Sequence, residues 1–145
     1  MGKINWGRVI GGGLVSGLVG NVLQALNGFL MKAQSEQMMK SIHKDMAEPK
    51  ALVAHLVWSF VLGIAAIWLY AAIRPRYGPG PTTALRAGFV VWIFAHATFA
   101  IGTVALGIFP ARLMAVVAAV ALLERIVSTL VGAAIYRESR SARGN

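Results

Sequence analysis

Cysteine is absent from the 145 residues. Its absence excludes thiolate nucleophiles, disulfide exchange and cysteine-ligated clusters together, and leaves the compartment open. Charge is also scarce: 13% of the residues are Asp, Glu, Lys or Arg, where a soluble domain carries about a quarter. Acid is the scarcest, with five Asp and Glu beside fourteen Lys and Arg, and Glu124 alone of the five stands inside an apolar run. No phosphate-binding glycine loop, nucleophile elbow or zincin motif is present, and too few ligands are grouped for a zinc or iron centre. The sequence offers no support for an enzyme and none for a metal site.

Apolar surface is what the chain has in excess. Hydrophobic residues make up 57% of it and the mean hydropathy is +0.67. Four runs have the ~20 residues that a membrane-spanning helix needs: 9–31, 51–73, 85–109 and 111–136. They predict an all-α, polytopic membrane protein, a single domain over 1–145 with four transmembrane helices in an antiparallel bundle. The first run starts on Lys3 and Arg8 as a secretory signal does, but it is too long, and bulky Met31 spoils the cleavage position. It is read as a retained span. Trp6 stands where myristoylation requires Ser or Thr.

The connections differ in chemistry. Residues 32–50 form a long polar outer loop with Met38, Ile42 and Met46 at helical spacing, which suits a short amphipathic helix on the headgroups. "RPRYGPGPTT" predicts a stiff, helix-incompatible cytoplasmic loop over 74–84. "GIFP" is barely a turn, and Pro49 and Pro110 suit the first turns of the helices they precede. An even number of spans puts both termini on one side. That side holds eight basic residues (Lys3, Arg8, Arg74, Arg76, Arg86, Arg137, Arg140, Arg143) against five on the other, so both termini are expected in the cytoplasm. Trp6, Trp68, Tyr70, Tyr77 and Tyr136 fall near the same boundary, as an interfacial belt does. The net charge of +9 is thereby explained by span ends, and no nucleic-acid partner is expected.

Helices in lipid associate through close packing and polar contacts. In the first span Gly13, Gly17, Gly20, Asn21, Gln24 and Gly28 fall on one helical face. The second repeats the device with His55, Ser59 and Gly63, and the fourth with Glu124, Ser128 and Gly132. "VLGIAAIW" and "LVGAAIYR" around them look alike and raise the idea of a parallel duplication, although the first and third spans align poorly. Gly13, Gly17, Gly20, Ser59, Gly63, Ser128 and Gly132 are read as packing seams. Gly88, Trp92, Ala95, His96, Phe99 and Thr103 make a face of the third span.

Depth counted from span ends gathers the remaining polar residues. Asn21, His96, Glu124 and Arg125 lie near the midplane with Gln24 close by, while His55 lies ~10 Å away in the outer half. Glu124 and Arg125 together cost roughly 6 kcal/mol on insertion, about what the apolar residues of the fourth span return. That span is therefore expected to insert as a hairpin with the third. Arg125 cannot easily snorkel to water, because the half-thickness of the core is ~15 Å and its side chain is shorter. An intramembrane ionisable pair is a functional-site hypothesis by default, but the preferred reading is a buried ion pair that fixes helix register. Haem held between both histidines is disfavoured by their offset; a single axial ligand from His96, to haem or a chlorin, is the remaining cofactor option, and otherwise no cofactor is expected.

The stretch "AIWLYAAIRPRYGPGPTTALRAG", Ala66 to Gly88, resembles uncharacterised small four-span bacterial inner-membrane proteins. The resemblance implies a bacterial cytoplasmic membrane and a multi-pass topology. Small multidrug-resistance transporters are similar in having four spans and a central glutamate, but theirs is in the first helix and Glu124 is in the fourth. The "ER" pair resembles part of the signature of the membrane family of eicosanoid and glutathione metabolism, whose longer polar motif is missing here. No site residue carries over. The leading functional expectation is a small integral membrane protein with a packing or accessory-subunit role, in a larger complex or a homo-oligomer, with lipid and protein partners. The alternative is a proton- or ion-coupled small-molecule transporter, with Glu124 as the midplane carboxylate and Arg125, His96, Asn21 and Gln24 around it.

Overall fold

The computed structural model of the chain describes residues 4–30, 32, 36 and 49–136. Among these residues regular structure is helical throughout. Four helices, α1 (Trp6–Leu30), α2 (Pro49–Tyr77), α3 (Pro81–Ala105) and α4 (Ala111–Ile135), are each long and apolar enough to cross a membrane, with mean hydropathies from 1.6 to 2.2. At 1.5 Å per residue they run for roughly 37 to 43 Å, more than the ~30 Å of a hydrocarbon core. The amphipathic segment expected around Met38, Ile42 and Met46 lies outside the described residues, as do Lys3 and the basic residues beyond Tyr136.

The expected cytoplasmic loop over 74–84 is mostly helix. α2 continues through Arg74, Pro75 and Arg76 to Tyr77, and only Gly78 to Gly80 separate it from α3. Pro75 lacks the N–H that would bond the Ala71 carbonyl, yet the helix carries it in its last turn. Gly78 N–H still donates to the Arg74 carbonyl at 2.8 Å. Gly78 (φ 81°) and Gly80 (φ 128°) then turn the chain through the left-handed region that side chains avoid. Thr83 Oγ1 donates to the Gly78 carbonyl at 2.8 Å and fastens the first turn of α3 back onto the loop. The α3–α4 turn is as short as expected: Ile108 N–H bonds Thr103 O (2.9 Å) and Gly107 N–H bonds Val104 O (3.0 Å), with Gly107 at φ 69°. That is a Schellman closure.

α1 packs between α2 and α4, and α3 packs on α4 and on α2. Gly13 and Gly17 of α1 lie against Ile64 and Phe60, and Gly12 and Gly20 against Gly132 and Ser128. Rising numbers on α1 meet falling numbers on both neighbours, so α1 is antiparallel to α2 and to α4. The chief core lies at the end carrying the termini: Val9, Ile67, Tyr70, Ala71, Ala84, Ala87, Ala133 and Tyr136. Tyr70 and Tyr136 meet edge to face at 5.9 Å, and Tyr136 Oη accepts from Asn5 N–H at 3.3 Å. The other end is looser. α1 has no buried residue after Gly20, and α2 is exposed without a break from Pro49 to Trp58. Only Ala100, Phe109 and Met114 form a small second core there, between α3 and α4.

Candidate functional site

The small residues bring three helices to backbone contact. A Cβ on Gly13 would stand 2.5 Å from Ile64 Cα, and one on Gly17 2.7 Å from Phe60 Cα. One on Gly63 would meet Gly17 N at 2.6 Å and, closer still, the Gly13 carbonyl. Ser59 Oγ donates across this seam to the Gly17 carbonyl at 3.2 Å. The expected single face on α1 is in fact two. Gly12 and Ser16, both missed in the sequence reading, turn toward α4, where a Cβ on Gly132 would lie 2.5 Å from Gly12 O and 2.8 Å from Ser16 Cβ. Gly20 sits where the seams meet, nearest Ser59 Oγ and then Ser128 Cβ. The run of three glycines at 11–13 was the available signal. Successive helical positions point about 100° apart, so a triplet cannot serve one neighbour. Gly11 indeed faces open space, as does Gly28.

One turn beyond these seams the bundle loosens, and the polar residues stand at that level. Arg125 is 2% exposed, the largest of the fully buried side chains. Its carbonyl accepts from Ser128 Oγ (3.1 Å) and Thr129 Oγ1 (2.7 Å), and Gly88 of α3 packs on Thr129 beside it. Its guanidinium is not so served: Nε and Nη1 are buried and have no hydrogen-bond partner among the described residues. The same holds for Ser16 Oγ, Asn21 Oδ1, Gln24 Oε1, His96 Nδ1 and Glu124 Oε1. Glu124 and Arg125 interact electrostatically but form no ion pair with each other. Among the described residues the one ion pair is Lys32–Glu36 at 3.9 Å, on the surface.

Electrostatics also links the helices. His96 stands within electrostatic range of Arg125 on α4 and of His55 on α2. Asn21 joins α1 to α2, since Asn21 Nδ2 donates to Leu56 O at 3.5 Å. That contact places His55, the neighbour of Leu56, at the level of Asn21 and removes the ~10 Å offset that end-counting gives it. End-counting assumes centred spans, whereas the glycine seam slides α2 along α1 until Gly63 meets Gly13 and Gly17. His55 is exposed on the outside of the bundle. His96 lies in a feature the sequence did not announce, a π-helical turn over Ile93–Ala97. Such turns insert a residue and are frequent at functional sites. Trp92 Nε1 donates across to Ala118 O at 2.8 Å and Thr98 Oγ1 back to Phe94 O at 2.7 Å on either side of it.

Among the described residues no group of three His, Asp or Glu is placed to hold a metal ion. The four helices give the chain the form of a multi-pass membrane protein with an internal polar layer. No protein-family model, curated protein or solved structure matches it.

Proposed function

We propose that the protein is a carrier in the bacterial cytoplasmic membrane, with both termini in the cytoplasm, which takes a small polar solute through its midplane polar layer. The carrying observation is Arg125: a charged side chain buried inside this chain's own bundle, whose Nε and Nη1 have no hydrogen-bond partner among the described residues. A buried charge is costly unless paired, and in a membrane such a group marks a solute or proton path. The layer draws on α1, α3 and α4, and among the described residues α1 after Gly20 and α2 before Ser59 carry no buried residue. Glu124, on the same turn as Arg125, is the carboxylate available for coupling.

The packing role has a specific observation too. Residues 49–58 of α2 are exposed throughout, with polar His55 among them and Trp58 52% exposed. A second copy or a partner helix on that face accounts for His55. The glycine seams, however, are consumed inside the chain, so they supply no interface for a partner.

Uptake by proteoliposomes under an imposed pH gradient tests the carrier reading. The vesicles would be offered a defined mixture of free amino acids, short carboxylic acids and amines, and their contents read by mass spectrometry. At least one compound accumulates with the wild-type chain and not with Glu124→Gln. Equal contents in wild-type, variant and protein-free vesicles would overturn the reading.

A further inference from the structure

The small residues of the glycine seams close to backbone contact, but the alanines where α3 ends and α4 begins do not. Trp92 Nε1 fastens α3 to α4 through its bond to Ala118 O, and Phe109 of the closing turn folds in on Ala100 and Met114. Between these two fastenings the helices stand apart around a groove of about 390 Å³, lined by Ala100, Val104 and Ala105 of α3 and by Ala111, Met114 and Ala115 of α4. Ala100 and Met114 are buried and make its floor, while Ala105, Ala111 and Ala115 are exposed and make its rims. Alanine leaves nothing beyond Cβ to fill such a space. The volume is more than twice the ~150 Å³ of an apolar cavity that takes benzene, and no polar side chain lines it. Charge stands at one rim. Successive helical positions turn by about 100°, so the wall of α4 runs outward from Met114 through Ala111 and Ala115 to Arg112. Arg112 is exposed in the first turn of α4 and forms no ion pair among the described residues. The described acids are Glu36 and Glu124, and Glu124 stands ~18 Å further along α4.

We propose that this groove holds the upper part of one acyl chain of an anionic glycerophospholipid, with the phosphate of its headgroup on Arg112. The apolar lining takes the chain. Arg112, one turn from the end of its span, lays its stem along the rim and sets its guanidinium at headgroup level, where two of its donors meet two phosphate oxygens. A helix of a partner is a poor occupant: Ala111 to Ala115 span only ~6 Å, little more than one turn, and a helix is ~10 Å across. The site lies apart from the polar layer and does not depend on the carrier reading.

The test is native mass spectrometry of the purified, delipidated full chain in a mild detergent, offered equal amounts of phosphatidylglycerol and phosphatidylcholine with the same acyl chains. The wild-type chain retains one lipid and prefers phosphatidylglycerol by about fivefold, the weight of one basic residue at a membrane surface. Arg112→Gln retains a lipid without that preference. Ala115→Phe fills the groove and loses the retained lipid, whereas Leu123→Phe, on an outward face, behaves as the wild type. No retained lipid in the wild type, equal retention in Ala115→Phe and Leu123→Phe, or a preference that survives Arg112→Gln overturns the proposal. A wild-type dimer that Ala115→Phe splits into monomers would overturn it too, because the groove would then seat a second copy of the chain.

Discussion

Replacing Gly132 by alanine tests the contact that sets the register of the polar layer. The new Cβ would stand 2.5 Å from the Gly12 carbonyl oxygen, 2.8 Å from Ser16 Cβ and 2.9 Å from Ile67 Cδ1. Bringing the first of these to an ordinary 3.4 Å requires α1 and α4 to part by about 0.9 Å. The obstacle is a backbone on a neighbouring helix, which no rotamer change relieves. Overpacking of this kind costs about 1–3 kcal/mol, and backbone against backbone belongs at the upper end. Alanine returns up to ~1 kcal/mol through its helix propensity, so the net loss is about 2 kcal/mol. Gly28 is the control, because nothing lies within 4 Å of its added Cβ; Gly28→Ala gains up to ~1 kcal/mol. Thermal unfolding in one detergent, followed by tryptophan fluorescence, compares the two. Gly132→Ala unfolds below the wild type and Gly28→Ala at or above it. If Gly132→Ala matches Gly28→Ala, α1 and α4 are not in contact at this level.

The other predictions concern single groups. Arg125→Met removes a buried charge that no described residue satisfies, so it is expected to leave stability unchanged or raise it by about 1–4 kcal/mol while solute uptake disappears. A loss of about 3 kcal/mol or more in chemical denaturation would instead reveal a paired, structural arginine. Trp92→Phe keeps the ring stacked on Phe89 but loses the 2.8 Å bond to Ala118 O, at a cost of roughly 0.6–1.7 kcal/mol in the same measurement. Tyr136→Phe retains the edge-to-face contact with Tyr70 and loses the acceptor for Asn5 N–H, for about 0.5–1.5 kcal/mol. Pro79→Cys, in the α2–α3 turn of a chain with no native cysteine, reacts with an impermeant maleimide in inverted vesicles and not in intact cells if the termini are cytoplasmic. Labelling in intact cells would reverse the orientation.

The four helices were legible because a long apolar run has few other readings, and their bounds moved by only a few residues at most ends. The exception is the α2–α3 connection, where Pro75 read as a breaker and the helix simply carried it in its final turn. The seam residues were legible as spacings, since small residues four apart fall on one face. That Gly12 and Ser16 serve α4 while Gly13 and Gly17 serve α2 depends on where neighbours stand, which a one-dimensional spacing does not hold. The same dependence governed His55: its depth is set by the seam between α1 and α2, and no count from the helix ends contains that seam. The π turn at His96 carries no proline or glycine to announce it. Arg125 was visible as an anomaly, but whether it turned inward or toward another protein was decided only by the packing of α4.

Water access to the midplane layer tests the central claim most directly. With no native cysteine to remove, Gln24→Cys and Leu123→Cys report respectively on the interior layer and on an outward face where Leu123 is 66% exposed. The account predicts that a small charged thiol reagent modifies the cysteine at position 24 in membranes, that it leaves the one at 123 untouched, and that the Arg125→Met background slows the first reaction when the reagent is anionic. Unreactive cysteines at both positions would mean a dry, closed interior and would contradict the existence of a solute site.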